Sequence, residues 1–180
     1  MRVLVVYGSK RGGTAGIARM VGGALRGAGI DAEVRSGDEA EGVAGYDAVV
    51  VGGALYSSRW HRHARRFVKR HAAKLRDKPV WLFSSGPLGH AENRREDRPP
   101  VKQVQRLLNR IGARGHVTFG GRLERNAKGI LASRMAKTRA GDWRNPERIR
   151  RWTLDIAQQL RPESPDPAAR GAPRGRPHPS

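Results

Sequence analysis

The chain opens with Arg2-Val3-Leu4-Val5-Val6-Tyr7-Gly8-Ser9-Lys10-Arg11-Gly12-Gly13-Thr14. The apolar run reads as a buried strand. Ile17, Met20, Val21, Ala24 and Leu25 then recur at helical spacing, so a helix is expected to open at Thr14. A strand feeding a short Ser/Gly/Thr loop and then a helix presents backbone N–H groups and hydroxyls at a helix N-terminus. Donors and dipole together stabilise a phosphate there. Three phosphate loops compete for this stretch. The dinucleotide fingerprint needs Gly-x-Gly-x-x-Gly, but the glycines fall at Gly8, Gly12, Gly13 and Gly16. The triphosphate loop needs a lysine after its second glycine, and Thr14 stands there. A third pattern, Ser/Thr-x-x-Gly-x-Thr, is met by Ser9, Gly12 and Thr14 and suits a single phosphate. A tight glycine turn with Thr14 as helix cap fits the same residues.

The rest of the chain supplies the context. Asp31–Arg35, Ala48–Val51, Val80–Phe83 and His116–Phe119 read as further strands. Continuous apolar strands of this kind suit a parallel sheet covered on both faces. Between them lie helical patterns. One, His61–Leu75, buries Phe67, Val68, His71, Ala72 and Leu75. Another starts at Pro99-Pro100 and carries Val101, Val104, Leu107, Leu108 and Ile111. Asn145-Pro146-Glu147 reads as cap, first-turn proline and acidic first turn of a last helix holding Ile149, Trp152, Ile156, Ala157 and Leu160. The alternation predicts an α/β, doubly wound, five-stranded parallel sheet in the order 2-1-3-4-5, with a helical insert after strand five. The Gly/Ser-rich stretches 8–14, 52–58, 84–89 and 120–121 all fall at the strands' carboxyl ends, where such sheets bind ligands.

At 180 residues, the expectation is one domain over residues 1–160 and a disordered Pro/Arg-rich tail over 161–180. There is no cysteine, which excludes disulfides, thiolate metal sites, thiol nucleophiles and Cys-ligated clusters. No metal site is expected. The N-terminus runs directly into a strand, and no apolar run approaches the ~20 residues needed to span a bilayer. A cytoplasmic protein, peripheral at most to the inner face of a membrane, is expected. The net charge of +20 and pI of about 11.7 point to anionic partners. Little of that charge belongs to the tail, where Glu163 and Asp166 offset half of the arginines.

With these residues in view, the chain resembles the flavodoxin-like family over roughly residues 1–160. The branch it looks most like is that of the menaquinone-dependent protoporphyrinogen dehydrogenases, FMN proteins of haem synthesis. The resemblance rests on Val6-Tyr7-Gly8-Ser9-Lys10-Arg11-Gly12-Gly13-Thr14 with Ile17-Ala18, and on Tyr46-Asp47 leading into Val49-Val50-Val51-Gly52. It rests also on His61 followed by Phe67-Val68 and His71-Ala72, and on Asp142-Trp143 before the last helix. About 20 residues, Arg122–Gly141, stand where that branch carries an insert. This insert lacks the branch's aromatic residues, and Ser84–Gly89 looks like a generic flavodoxin loop.

The resemblance implies FMN as cofactor. Ser9, Lys10, Arg11, Gly12, Gly13 and Thr14 would hold its phosphate. The isoalloxazine would lie between the loop Ala54, Leu55, Tyr56, Ser57 to Trp60 and the loop Ser84, Ser85, Gly86, Pro87, Leu88, Gly89. Tyr56 and Trp60 are the stacking candidates, with Leu55 on the other side. No catalytic acid–base pair is expected, because the flavin carries the electrons. His61 and His63 read as exposed members of a basic helix, His71 as a core-edge residue.

The implied activity is an FMN-dependent oxidoreductase, a protoporphyrinogen dehydrogenase passing electrons to a quinone. The alternative is a flavodoxin-type carrier serving an acidic protein. The basic run His61–Lys78 is either a solvated face or a surface for an acidic redox partner or anionic lipid. The insert, with Ala127, Ile130, Leu131 and Met135 among Arg125, Lys128, Arg134 and Lys137, offers a second such surface. Nucleic acid is not expected, because no recognition helix, RNA-binding sheet motif or zinc finger is visible.

Overall fold

The computed structural model describes residues 1–10, 12–86, 99–123 and 141–161. Residues 124–140 of the predicted insert, the tail beyond Arg161, and Arg11, Pro87, Leu88 and Gly89 lie outside them.

Five parallel strands build the sheet: β1 (Arg2–Gly8), β2 (Asp31–Ser36), β3 (Ala48–Tyr56), β5 (Val80–Gly86) and β6 (Gly115–Gly120). Their order is β2-β1-β3-β5-β6. This is the expected order, with one short strand, β4 (Arg59–Trp60), added as a hairpin antiparallel to β3. Helices α1 (Gly13–Gly27) and α5 (Pro146–Leu160) cover one face. Their apolar stripes bury Ile17, Val21, Leu25, Ile149 and Ile156 against Val3, Val5, Val50 and Phe83. Helices α2 (Arg62–Arg70), α3 (Ala72–Arg76) and α4 (Lys102–Ile111) cover the other. There Phe67, Val68, Leu75, Val104 and Ile111 meet Leu4, Val6, Val49 and Leu82. Alternate residues of each central strand thus enter opposite cores.

Several expectations shift. The connection between β2 and β3 carries no helix among the described residues. Ala40 and Val43, with Tyr46 packed beside them, cover that edge of the sheet instead. The single helix expected over His61–Leu75 breaks at His71, where the backbone leaves helical geometry at φ −106° and ψ 16°. Its apolar face nevertheless continues through Ala72 and Leu75. The prolines at 99 and 100 precede α4 rather than forming its first turn, and Val101 is the flanking residue.

The last helix starts as its sequence implies. The Asn145 side chain accepts from the Arg148 backbone N–H at 3.0 Å, and Pro146 occupies the first turn. Replacing Asn145 with alanine is expected to cost about 1 kcal/mol in urea unfolding.

A second, two-stranded ribbon, β7 (Arg122–Leu123) with β8 (Gly141–Asp142), forms the neck from which the insert leaves. The Trp143 backbone N–H donates to the Gly121 carbonyl at 3.0 Å, seating this neck on the end of β6.

Candidate functional site

The carboxyl ends of β1, β3 and β5 converge with the N-terminus of α1. Gly12, at φ +73°, turns the chain into α1 in the left-handed region that favours glycine. The helix begins at Gly13, one residue before the expected start, and no side chain caps it. Its first N–H groups therefore have no acceptor within the helix, and no acidic residue sits in the first turn. Thr14 is not the cap. Its side chain is 1 % exposed and its hydroxyl lies 2.9 Å from that of Ser85, itself 5 % exposed. This pair ties the first loop to the end of β5, and one hydroxyl proton of the pair remains uncommitted within it.

The neck of the insert closes on the same helix end. A Cβ at Gly13 would come within 3.2 Å of the Arg122 backbone nitrogen, and one at Gly16 would meet the Arg144 guanidinium at 2.2 Å. Arg144 is held in a bidentate ion pair with Asp142, its Nε 2.8 Å from Oδ1. That hydrogen bond keeps the Asp142 carboxyl below its usual range. Gly121 is required for a close approach of another kind: its N–H donates to the Gly86 carbonyl at 2.5 Å, and a Cβ there would strike that oxygen at 2.8 Å.

The residues expected around a flat ring separate into two sets. Ala54, Leu55 and Tyr56 extend β3 rather than forming a loop, and Ser57 and Ser58 make the hairpin tip, both with positive φ. Tyr56 stays half-exposed. Its hydroxyl accepts from the Lys10 backbone N–H at 3.3 Å, so this ring stands beside the first loop. Ser84, Ser85 and Gly86 finish β5, buried beside them.

Trp60 is the departure. It is 2 % exposed, packed on Gly53, and its indole N–H donates to the Ser84 hydroxyl at 2.8 Å. Its ring supports the loop from beneath and offers no open face for stacking. The signal that could have shown this is Gly53 itself, since a glycine inside a strand commonly marks close approach by a neighbour.

His61 also departs from its expectation as an exposed residue. It is 5 % exposed, flanks the start of α2, and stands edge-on to Tyr56 with ring centroids 6.1 Å apart. Its Nδ1 is buried without a partner among the described residues. Burial, then the neighbouring His63, Lys10 and Arg62, push its pKa down and favour the neutral ring.

Uncapped amides at a helix end, hydroxyls and a nearby lysine are donors of the kind that one phosphate requires. The half-exposed Tyr56 and the glycine-ended β5 stand beside this loop, an aromatic face and a strand end without bulky side chains of the kind a flat ring requires. The residues present fit FMN.

Comparison with known proteins agrees. A family model described as a flavodoxin domain matches residues 4–138. The protoporphyrinogen IX dehydrogenase [quinone] of Escherichia coli (strain K12) is 30% identical over 86 residues, which are 47% of this chain and 48% of that protein. The chain thus spans about half the length of the curated relatives it matches. Among solved structures, a flavodoxin from the domain Archaea superposes with a TM-score of 0.60 at 15% identity, covering 88% of this chain and 98% of that one. Rubredoxin oxygen:oxidoreductase from Desulfovibrio gigas gives 0.60 at 14% identity over 88% of this chain and 36% of that one. Two-electron reduced Megasphaera elsdenii flavodoxin gives 0.53 at 24% identity, over 64% and 84%. At these identities the structures speak for the fold alone.

Proposed function

Because the chain belongs to the flavodoxin domain family, with FMN as its cofactor, we propose that it is an FMN-dependent oxidoreductase that takes electrons from protoporphyrinogen and passes them to a quinone. The observation that carries an enzyme over a simple carrier is the β7–β8 neck. Its two strands, which flank residues 124–140 in sequence, sit against the N-terminal end of α1, where a Cβ at Gly13 would meet the Arg122 backbone. A carrier needs only an open flavin edge, whereas a neck added beside the cofactor end of the sheet suits an enzyme with a substrate of its own. The likeness to the Escherichia coli dehydrogenase supports the same reading.

In this reading the Gly12–Thr14 amides, Ser9 and Lys10 bind the phosphate, and the Thr14–Ser85 pair locks that loop to β5. Tyr56 and Leu55 border the ring, while Gly86 lets its edge approach backbone. When bound, the flavin supplies reversible electron transfer, and each quinone reduced to quinol takes two electrons and two protons from the substrate. The protein's part is to orient the ring and exclude water.

The test begins with the visible spectrum of the purified protein with FMN, then anaerobic addition of protoporphyrinogen and menadione. Porphyrin fluorescence growing only with both flavin and quinone supports the proposal. Retained FMN with no turnover of any porphyrinogen or quinone would leave the carrier reading. The phosphate assignment has its own check. Ser9→Ala removes a hydroxyl given to the phosphate and leaves the Thr14–Ser85 pair intact, so FMN affinity is expected to fall about 10- to 100-fold. Affinity for riboflavin, which has no phosphate, should stay unchanged.

A further inference from the structure

The charge of this chain is not spread evenly over its two helical layers. From Arg59 to Arg114 the described residues carry thirteen lysines and arginines against Asp77 as the one acid. These residues run through β4, α2, α3, β5, α4 and their connections, and the three helices all pack on the same face of the sheet. Helices α1 and α5, on the opposite face, mix cations with Glu147 and Asp155. Arg66, Lys69, Arg70, Lys74, Arg106 and Arg110 are exposed, and none forms an ion pair among the described residues. So many uncompensated like charges repel one another. Folding does not require them, because the apolar stripes of these helices already face the core.

The charged face reaches the hairpin that follows Tyr56. Between the hairpin tip and the start of α4 lies a groove of about 480 Å³, lined by Ser57, Ser58, Arg59, Lys102 and Arg106 with Val101. Ser57 directly follows Tyr56. The Gln103 side chain accepts from the Trp60 backbone N–H at 3.0 Å, fixing α4 against the hairpin. The groove is therefore a concave, cationic recess beside the carboxyl edge of the sheet.

We propose that the α2–α3–α4 face docks an acidic protein, an electron carrier whose carboxylates enter the Arg59–Lys102–Arg106 groove. The electron exchange rests on the flavin reading above; the docking does not. Two observations select a protein over other polyanions. Among the described residues Met1 is the one exposed large hydrophobic side chain, so the face has no apolar anchor for a lipid surface, which is also too flat to enter a groove. The aromatic residues beneath the face, Trp60 and Phe67, are buried and cannot stack on bases. The exchange is reversible: one electron passes between the partner's centre and the bound flavin, one being oxidised as the other is reduced, so the partner can stand in for the quinone or, run backwards, reduce the flavin.

The experiment uses the FMN-loaded full chain and an acidic plant-type [2Fe–2S] ferredoxin as the probe. Binding is followed by titration, and electron transfer from the reduced ferredoxin by stopped flow, both from 20 to 300 mM NaCl. Binding and a transfer rate that fall about tenfold or more over that range are expected. Arg66→Glu with Arg70→Glu, and separately Arg106→Glu, should each lower both about tenfold at low salt. Arg150→Glu with Arg151→Glu, two exposed charges on α5, should change them less than about threefold, although the net change equals that of the double variant and exceeds that of Arg106→Glu. Direct reduction of the flavin by dithionite should be alike in all variants, which separates a lost dock from a lost cofactor.

Binding that keeps its salt dependence in a chain unable to hold FMN would sink the flavin reading and leave the dock standing. Equal losses on both faces, no salt-dependent binding, or tighter binding to phosphatidylglycerol vesicles or duplex DNA than to ferredoxin would overturn the dock.

Discussion

Gly52→Ala is expected to destabilise the fold by about 3 kcal/mol, the upper end of what overpacking costs and a large share of the stability of a domain this size. A Cβ at Gly52 would lie 1.9 Å from the Phe83 ring. That ring cannot swing away. It is fully buried, with the Phe119 ring centroid 5.9 Å off and that of Trp152 6.2 Å off. Strands β3 and β5, which carry the two residues, are locked in parallel register as neighbours, so the backbone cannot part locally. Urea unfolding measures the loss.

The cause is steric, and a second substitution tests that. Phe83→Leu alone removes ring volume and is itself destabilising. Combined with Gly52→Ala it should cost at least about 1 kcal/mol less than the two single changes summed. Strict additivity would mean that the methyl group acts through something other than the ring. Gly23→Ala is the matched control. This glycine is exposed in the middle of α1 with nothing near the added methyl group, so the change should stabilise by about 0.5–1 kcal/mol.

The Gly52-Gly53 pair also shows where sequence reading succeeds and stops. Apolar runs ending in small residues identify the strands and their order, because a doubly covered sheet must be built from such runs. The same glycines suggested that the third strand ends at Val51. In the structure β3 continues to Tyr56. Gly52 admits Phe83 on the α1–α5 side and Gly53 admits Trp60 on the α2–α4 side. Nothing local to the strand distinguishes a glycine that turns the chain from one that makes room for a ring, since the ring comes from a different strand.

The hairpin that delivers Trp60 was equally hidden, because Ser57 and Ser58 both adopt positive φ, a conformation for which Asn and Gly are the usual signals. The turn into α1, by contrast, was legible to within one residue. Its chemistry is local, a left-handed glycine followed at once by an uncapped helix. The β7–β8 neck was not legible, since two-residue strands leave no periodicity to read.

Lowering the pH from 7 to 4.5 should cost the native state about 2–3 kcal/mol through His116 alone. No sequence pattern marked this histidine on β6. Its Nε2 lies 2.8 Å from the Ser84 hydroxyl, which in turn is 2.8 Å from the Trp60 indole nitrogen. An indole N–H only donates. Ser84 therefore accepts from Trp60 and gives its own proton to His116 Nε2, which assigns the neutral tautomer with hydrogen on Nδ1. That nitrogen is buried with no partner among the described residues. Burial pushes the pKa from its ordinary 6.5 to about 4.

Between those values the unfolded chain holds a proton that the folded one refuses. The contribution to stability is thus complete above pH 6.5 and drains away as the pH falls towards 4. His61 and His71, also held below their ordinary pKa by burial, act in the same direction, and carboxylates such as Asp142 lose their partners' support at lower pH still. The measurement is therefore a difference. Urea unfolding of the wild type and of His116→Gln is compared at pH 7 and pH 4.5. The glutamine carbonyl can accept from Ser84 and has no proton to gain, so the variant should lose about 2–3 kcal/mol less than the wild type across the interval. Parallel losses in the two proteins would show that His116 takes up its proton in the fold as readily as in water, and that the Trp60–Ser84–His116 chain does not hold it neutral.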